Sequence, residues 1–151
     1  MTALSTSREL PAPVESVFAA IQDPERLARW WGPAGFTNTF EVFEFKPGGQ
    51  WKFVMHGPGG KDYRNESQFV EIVPNALVRI RHVSHPHYVL SIALSPSATG
   101  TLVSWEQAFD DPKAAAGLRH IVEPANEQNL DRLTAEVAAA LGSRGSPPAR
   151  G

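Results

Sequence analysis

The sequence predicts an α+β fold, a curved antiparallel sheet of about seven strands closed over one long C-terminal helix, with two short helices after the first strand. Three observations carry this. From Phe36 to Phe109 the hydrophobic period is two, in short segments cut by turn residues. From Pro124 to Leu141 it is helical, with Asn126, Leu130, Leu133, Val137 and Leu141 recurring at spacings of three and four on one stripe. Strand-type and helix-type segments are also segregated along the chain, which points away from parallel βαβ units.

The first strand is Leu4–Leu10, where Leu4, Thr6, Arg8 and Leu10 alternate before Pro11 and Pro13 end it. Pro13 opens a short helix whose Val14, Val17, Phe18 and Ile21 form an apolar stripe. Asp23-Pro24, an N-cap followed by proline at the first helical position, starts a second helix that Gly32-Pro33 stops. Six strands follow: Thr37–Phe45, Gln50–His56, Tyr63–Val73, Leu77–Val83, His87–Leu94 and Thr101–Phe109. Asp111-Pro112 repeats the cap-and-proline device, and Glu123-Pro124 is expected to kink or break the helix it begins. Gly142 is read as the final stop, giving one domain over residues 1–142. The Gly/Pro/Ser/Arg tail, residues 143–151, is expected to be disordered.

Composition excludes several function classes. The 151 residues are 42% hydrophobic and 20% charged, which suits one soluble domain with a real core. Lys+Arg 14 against Asp+Glu 16 gives a net charge of −2 and no basic footprint for nucleic acid or an anionic membrane. The absence of cysteine removes disulfides, thiolate metal sites and a cysteine nucleophile. No apolar run reaches transmembrane length and Met1–Leu10 has no secretion-signal core, so a cytoplasmic protein is expected.

Strand parity assigns the inner face. Thr101, Val103, Trp105, Gln107 and Phe109 look inward, as do Val78, Ile80 and His82 from one neighbouring strand and Tyr88, Leu90, Ile92 and Leu94 from another. Trp51, Phe53 and Met55 share a face, as do Phe43 and Phe45. The helix adds Asn126, Asn129 and Leu130, and Arg119 joins them if the helical phase continues across Pro124. Tyr63 and Asn65 are lesser candidates, and Trp31 beside Gly32-Pro33 would lid the space. The inferred cavity is thus aromatic-walled, with a few amides, one imidazole and a guanidinium, the general build of a small-molecule site.

His82, His85 and His87 invite a metal reading. Pro86 breaks the segment, however, and parity sends His82 and His87 to different sides, so a solvated hairpin turn is favoured and neither metal nor cofactor is expected. No Gly-x-Ser-x-Gly elbow exists, and the glycine-rich pieces lie in hairpin turns, not between a strand and a helix. Glu41, Glu66 and Glu71 are read as surface carboxylates. His82 is the best candidate for an acid/base group.

Several segments together resemble a known family. PAPVESVFAAIQDPERLARWWGP, FEFKPGGQWKFVMHGPGG, EIVPNALVRI, GTLVSWEQAF and NEQNLDRLTAEVAAAL resemble the AHSA-type branch, the activator-of-heat-shock-protein-ATPase homologues, of the START-related SRPBCC superfamily. The resemblance spans Leu4 to Leu141 and implies the helix-grip fold (START/Bet v-like). For function it implies a binder of a small hydrophobic ligand, apolar or aromatic. The alternatives are a polyketide cyclase/dehydratase-like enzyme using His82 in the same cavity, or a chaperone-interacting module using the exposed strand face and the Trp30-Trp31 corner. A homodimer is compatible with each.

Overall fold

The computed structural model describes residues 3–145. In chain order the elements are β1 (Ala3–Leu10), α1 (Val14–Gln22), α2 (Pro24–Trp30), β2 (Thr37–Phe43), β3 (Gln50–His56), β4 (Asp62–Val73), β5 (Leu77–His82), β6 (Tyr88–Ser97), β7 (Gly100–Phe109) and α3 (Pro112–Gly145). The strands form one antiparallel sheet in the order β1-β7-β6-β5-β4-β3-β2, and α3 lies across its inner face. No described helix is long and apolar enough to cross a membrane.

Local chemistry accounts for the boundaries. The Asp23 carboxylate accepts the Glu25 amide at 3.0 Å and the Asp111 carboxylate accepts the Lys113 amide at 3.0 Å, so both cap-and-proline sites start helices. Gly49 turns the chain between β2 and β3 where a Cβ would stand 2.0 Å from the Glu44 carbonyl oxygen. Register shifts between Phe40 and Val42 and between Phe69 and Glu71 bend the sheet. The concave face then takes Trp51, Phe69, Val78, Ile92, Val103 and Trp105, all buried, against Leu130, Leu133 and Val137 of α3.

Two boundaries depart from the sequence reading. α3 is continuous through Pro124. Pro124 and His120 are both exposed, so the carbonyl that loses its partner lies on the solvent side, where water replaces the missing N–H. The helix also passes Gly142 and ends at Gly145; the rest of the expected tail lies outside the described residues.

Polar side chains of α3 fix the segment from α2 to β2. Arg132, which spacing places on the outer side of the helix, instead reaches this segment. Its Nη1 donates to the carbonyls of Trp31, Gly32 and Pro33 at 3.1, 3.0 and 2.9 Å. Its Nη2 donates to Arg29 and Phe36 at 2.7 and 2.9 Å. Burial lowers the Arg132 pKa from the ordinary arginine value, yet no proton is lost because that value is so high. Asn129 brackets the same loop, accepting from the Gly32 amide at 3.2 Å and donating to the Trp30 carbonyl at 2.8 Å. Glu136 accepts from Arg26 and Arg29, each at 3.0 Å. Burial alone would raise the Glu136 pKa, but the two arginine hydrogen bonds outweigh it and hold the carboxyl below its ordinary value.

Replacing Arg132 by leucine removes a donor from five backbone carbonyls, of which Trp31 keeps the Asn38 side chain and Pro33 the Phe36 amide, and should lower stability by on the order of 3 kcal/mol. Arg132→Lys should recover less than half of that in urea denaturation, because a single ammonium cannot reach the spread of acceptors. Full recovery by lysine would mean that charge, and not the planar fork, holds the loop.

Candidate functional site

Cross-strand register gathers the polar and aromatic side chains. Trp51, Ser67, His82, Tyr88 and Phe109 occupy directly paired positions on β3, β4, β5, β6 and β7, forming one row across the sheet. Phe69, Ile80, Leu90 and Gln107 form the next row. A pair of connected spaces opens above these rows, beneath α3. The inner chamber has a volume of about 110 Å³ and the vestibule outside it about 460 Å³; Pro33, Met55, Asn65, His82, Tyr88 and Gln107 border both.

Ten of the sequence candidates line the inner chamber: Trp31, Phe53, Met55, His82, Tyr88, Leu90, Trp105, Gln107, Asn126 and Asn129. Tyr63 borders only the vestibule, where its ring stands 6.0 Å from that of Phe36. Trp51 lies one layer behind, stacked on Phe53 at 4.3 Å, and Phe43 packs on Phe40 at 5.7 Å. Val103 and Leu130 are fully buried in the core and touch neither space. Arg119 is misplaced by the sequence reading. Leu118 and Val122 border the vestibule, while Arg119 is turned outward and donates to Glu123 at 3.0 Å. Ser67 was missed, although it shares parity with Asn65 and Phe69, two residues to either side.

Trp31 forms the floor. Its ring centroid lies 4.9 Å from that of Trp51, 5.9 Å from Trp105 and 6.4 Å from Phe53. Trp30 donates from Nε1 to the Ala20 carbonyl at 2.8 Å. Both indoles are buried, so the Trp30-Trp31 corner offers no aromatic surface for docking.

His82 is buried and stacks on Tyr88, centroids 4.5 Å apart and planes within 9°. Its Nδ1 donates to the Pro86 carbonyl at 2.7 Å, and its Nε2 stands 2.7 Å from the Asn65 amide. Burial is the strongest influence on the imidazole and lowers its pKa; Arg81 and His87 push the same way, against the hydrogen bonds to Pro86 and Ser84. With Nδ1 donating to Pro86, a neutral ring accepts at Nε2. Asn65 Oδ1 faces that nitrogen while the Asn65 nitrogen donates to the Tyr63 carbonyl at 3.1 Å, so the donor within reach is the Ser84 hydroxyl at 3.4 Å unless the Asn65 amide is turned over. Burial likewise raises the Tyr88 pKa, keeping the phenol un-ionised. At the other wall Asn126 Nδ2 donates to Gln107 Oε1 at 3.2 Å.

The remaining candidates lie outside. His85 and His87 are exposed, and His56 sits on the outer face between Thr39 and Asp62, each at 2.7 Å. Glu41 pairs with Arg64 and Glu71 with Arg79 on that same face, and Glu66 is exposed. Among the described residues no group of three or more His, Asp or Glu side chains is arranged to hold a metal ion.

A curved antiparallel sheet gripping a C-terminal helix, with space enclosed between them, defines the helix-grip class, and this chain has that architecture throughout. More narrowly, the family model described as "Activator of Hsp90 ATPase homolog 1-like protein" matches residues 11–138, and the chain belongs to that family. Solved structures from the same fold include a protein of Nitrosomonas europaea, with TM-score 0.85 and 21% identity over 92% of this chain and 96% of that one. A Chromobacterium violaceum protein has TM-score 0.79 and 26% identity, covering 89% of this chain and 96% of its own. The AHSA1 protein of Silicibacter pomeroyi has TM-score 0.75 and 23% identity, covering 91% and 99%. No functionally curated protein matches this chain.

The depressed His82 pKa gives a stability signature. Above the ordinary histidine value of about 6.5 the neutral ring fits its buried place; as pH falls toward the lower folded value, the unfolded chain takes up the proton more readily and stability is lost. Denaturation midpoints of the wild type should therefore fall on going from neutral to mildly acid pH more steeply than those of His82→Gln. Parallel curves would assign the acid sensitivity to other groups.

Proposed function

We propose that this protein binds a small, mostly apolar ligand in the chamber between α3 and the sheet. The observation carrying this is a pair of adjoining spaces that share Pro33, Met55, Asn65, His82, Tyr88 and Gln107, the inner one reaching Trp31 and walled by Phe53, Tyr88, Leu90 and Trp105, with a few amides from α3 and the sheet. Apolar walls supply affinity by removing ligand surface from water, and a few placed polar groups orient it.

A cyclase- or dehydratase-like enzyme would use the same chamber with His82 as acid or base. The structure favours binding over this reading on one point: both imidazole nitrogens are already engaged, by Pro86 and Asn65, so proton transfer to a substrate would have to break one of those contacts. The family's name refers to activation of a chaperone ATPase. Of the two surfaces the sequence reading gives such contact, the Trp30-Trp31 corner is internal, while the outer strand face is exposed at Val70 and Val73.

Leu90→Trp places an indole in the chamber from a strand that keeps its backbone pairing. Native mass spectrometry of freshly purified wild type, with organic extraction of any adduct, should yield a discrete small molecule that the variant lacks while its circular dichroism is unchanged. Equal occupancy in both proteins would move the ligand out of this chamber.

A further inference from the structure

The charge and hydrogen-bond inventory of the chamber narrows what it can hold. This inference rests on the ligand-binding reading above. Among the described residues no Lys, Arg, Asp or Glu side chain lines the inner chamber. Arg64, at the vestibule, is already committed to Glu41 at 2.8 and 3.0 Å, and Arg132, behind the Trp31–Pro33 backbone, spends its guanidinium on five carbonyls. His82 offers no positive charge in compensation, since burial favours its neutral form. A carboxylate or phosphate brought to the Trp31 floor would lose its hydration with no cation to replace it, and an ammonium would meet no anion.

The polar groups that remain are unequal in what they can offer. Asn129 is spent on the Trp30–Gly32 backbone and His82 on Pro86 and Asn65. Asn126 uses its amide nitrogen on Gln107 Oε1, which leaves the Gln107 nitrogen unspent and still a donor. The Tyr88 hydroxyl, un-ionised, is a second donor on the same wall, and Tyr88 and Gln107 border both chamber and vestibule. The aromatic walls favour a flat partner. A cavity of roughly 150 Å³ holds benzene, and the inner chamber of about 110 Å³ is smaller, so a single ring fits only with part of it extending into the vestibule. We propose that the ligand is an uncharged, planar aromatic molecule whose hydroxyl or carbonyl oxygen accepts from Gln107 and Tyr88 at the junction of the two spaces.

Three matched probes decide the matter on the full-length protein: ethylbenzene, para-ethylphenol and the para-ethylbenzoate anion, each titrated at neutral pH with tryptophan fluorescence and calorimetry as readouts. Para-ethylphenol should bind about tenfold more tightly than ethylbenzene, in keeping with one well-placed hydrogen bond, and para-ethylbenzoate should bind more weakly than either. Gln107→Leu should abolish the advantage of the phenol while leaving ethylbenzene affinity unchanged. Tyr88→Phe, which removes only a hydroxyl, should reduce the same advantage and serves if the first variant fails to fold. Benzoate binding as tightly as the phenol, or a phenol advantage that survives both variants, would overturn the proposal while leaving a ligand chamber standing. Failure of all three probes to bind would overturn the chamber reading itself.

Discussion

The guanidinium of Arg132 is the constraint on which the chamber beneath α3 depends. A loop that leaves α2 and enters β2 carries Trp31 on one side and, in Trp31 to Phe36, a run of carbonyls outside the helix and strand ladders, of which Asn38 serves Trp31 and the Phe36 amide serves Pro33. Buried carbonyls without donors cost free energy, and a planar fork with five N–H groups is the one side chain able to serve them together. Asn129, one turn earlier on α3, completes the arrangement from the amide side of the same loop. Trp31 is therefore held from behind by polar contacts, including one from Asn38 on β2, and its ring faces the sheet's aromatic side chains. Gly32 has to be glycine for this: its φ is +94°, and a Cβ would stand 2.8 Å from Met55 Cε.

With Trp31 fixed, the space under α3 cannot close by collapse. Its walls are large rings that bear on one another, Trp31 edge to face on Trp51 and Phe53, tilted on Trp105, and Trp51 stacked on Phe53. Trp31, Trp51, Trp105 and Phe53 brace each other at centroid separations between 4.3 and 6.4 Å. The opposite wall is drawn from the row that contains His82 and Tyr88, whose stacking follows directly from their pairing across β5 and β6. The chamber thus draws on three sources: Trp31 after α2 supplies the floor, the sheet supplies rings together with Asn65, Ser67, His82 and Gln107, and α3 adds Asn126 and Asn129 as the roof.

Much of this was legible in the sequence because a strand has only two faces. Once the turns were placed, parity assigned Trp105, Gln107, His82, Tyr88 and Leu90 to the interior, and all five meet in one chamber. The family and its helix-grip architecture were legible too, from the Trp-Trp-Gly-Pro and Pro-Gly-Gly segments and the closing helix. A helix is less forgiving. An error of one residue turns a side chain by about 100°, which is the difference between Leu118 at the vestibule and Arg119 in solvent. Arg132 was unreadable for another reason. A charged residue beside a hydrophobic stripe normally faces water, and nothing local reveals that unpaired carbonyls nearly a hundred residues earlier lie within its reach. Depth was equally hidden: Trp51 and Val103 share parity with Phe53 and Trp105, yet lie outside the chamber lining.

The sheet order has a consequence for how the protein is made. β2 to β7 pair with their neighbours in sequence, each within a short connection, so that meander can assemble as it leaves the ribosome. β1 cannot follow suit, because its partner is β7, and Ala3 waits for Ala108. The loop bearing Trp31 waits longer still, for Arg132. Until the final helix has been synthesised the aromatic face of the meander is open to water, and docking of that helix creates the chamber and encloses its contents in a single late step. A nascent chain stalled shortly before Asn129 would have nearly all of its strands and no binding site.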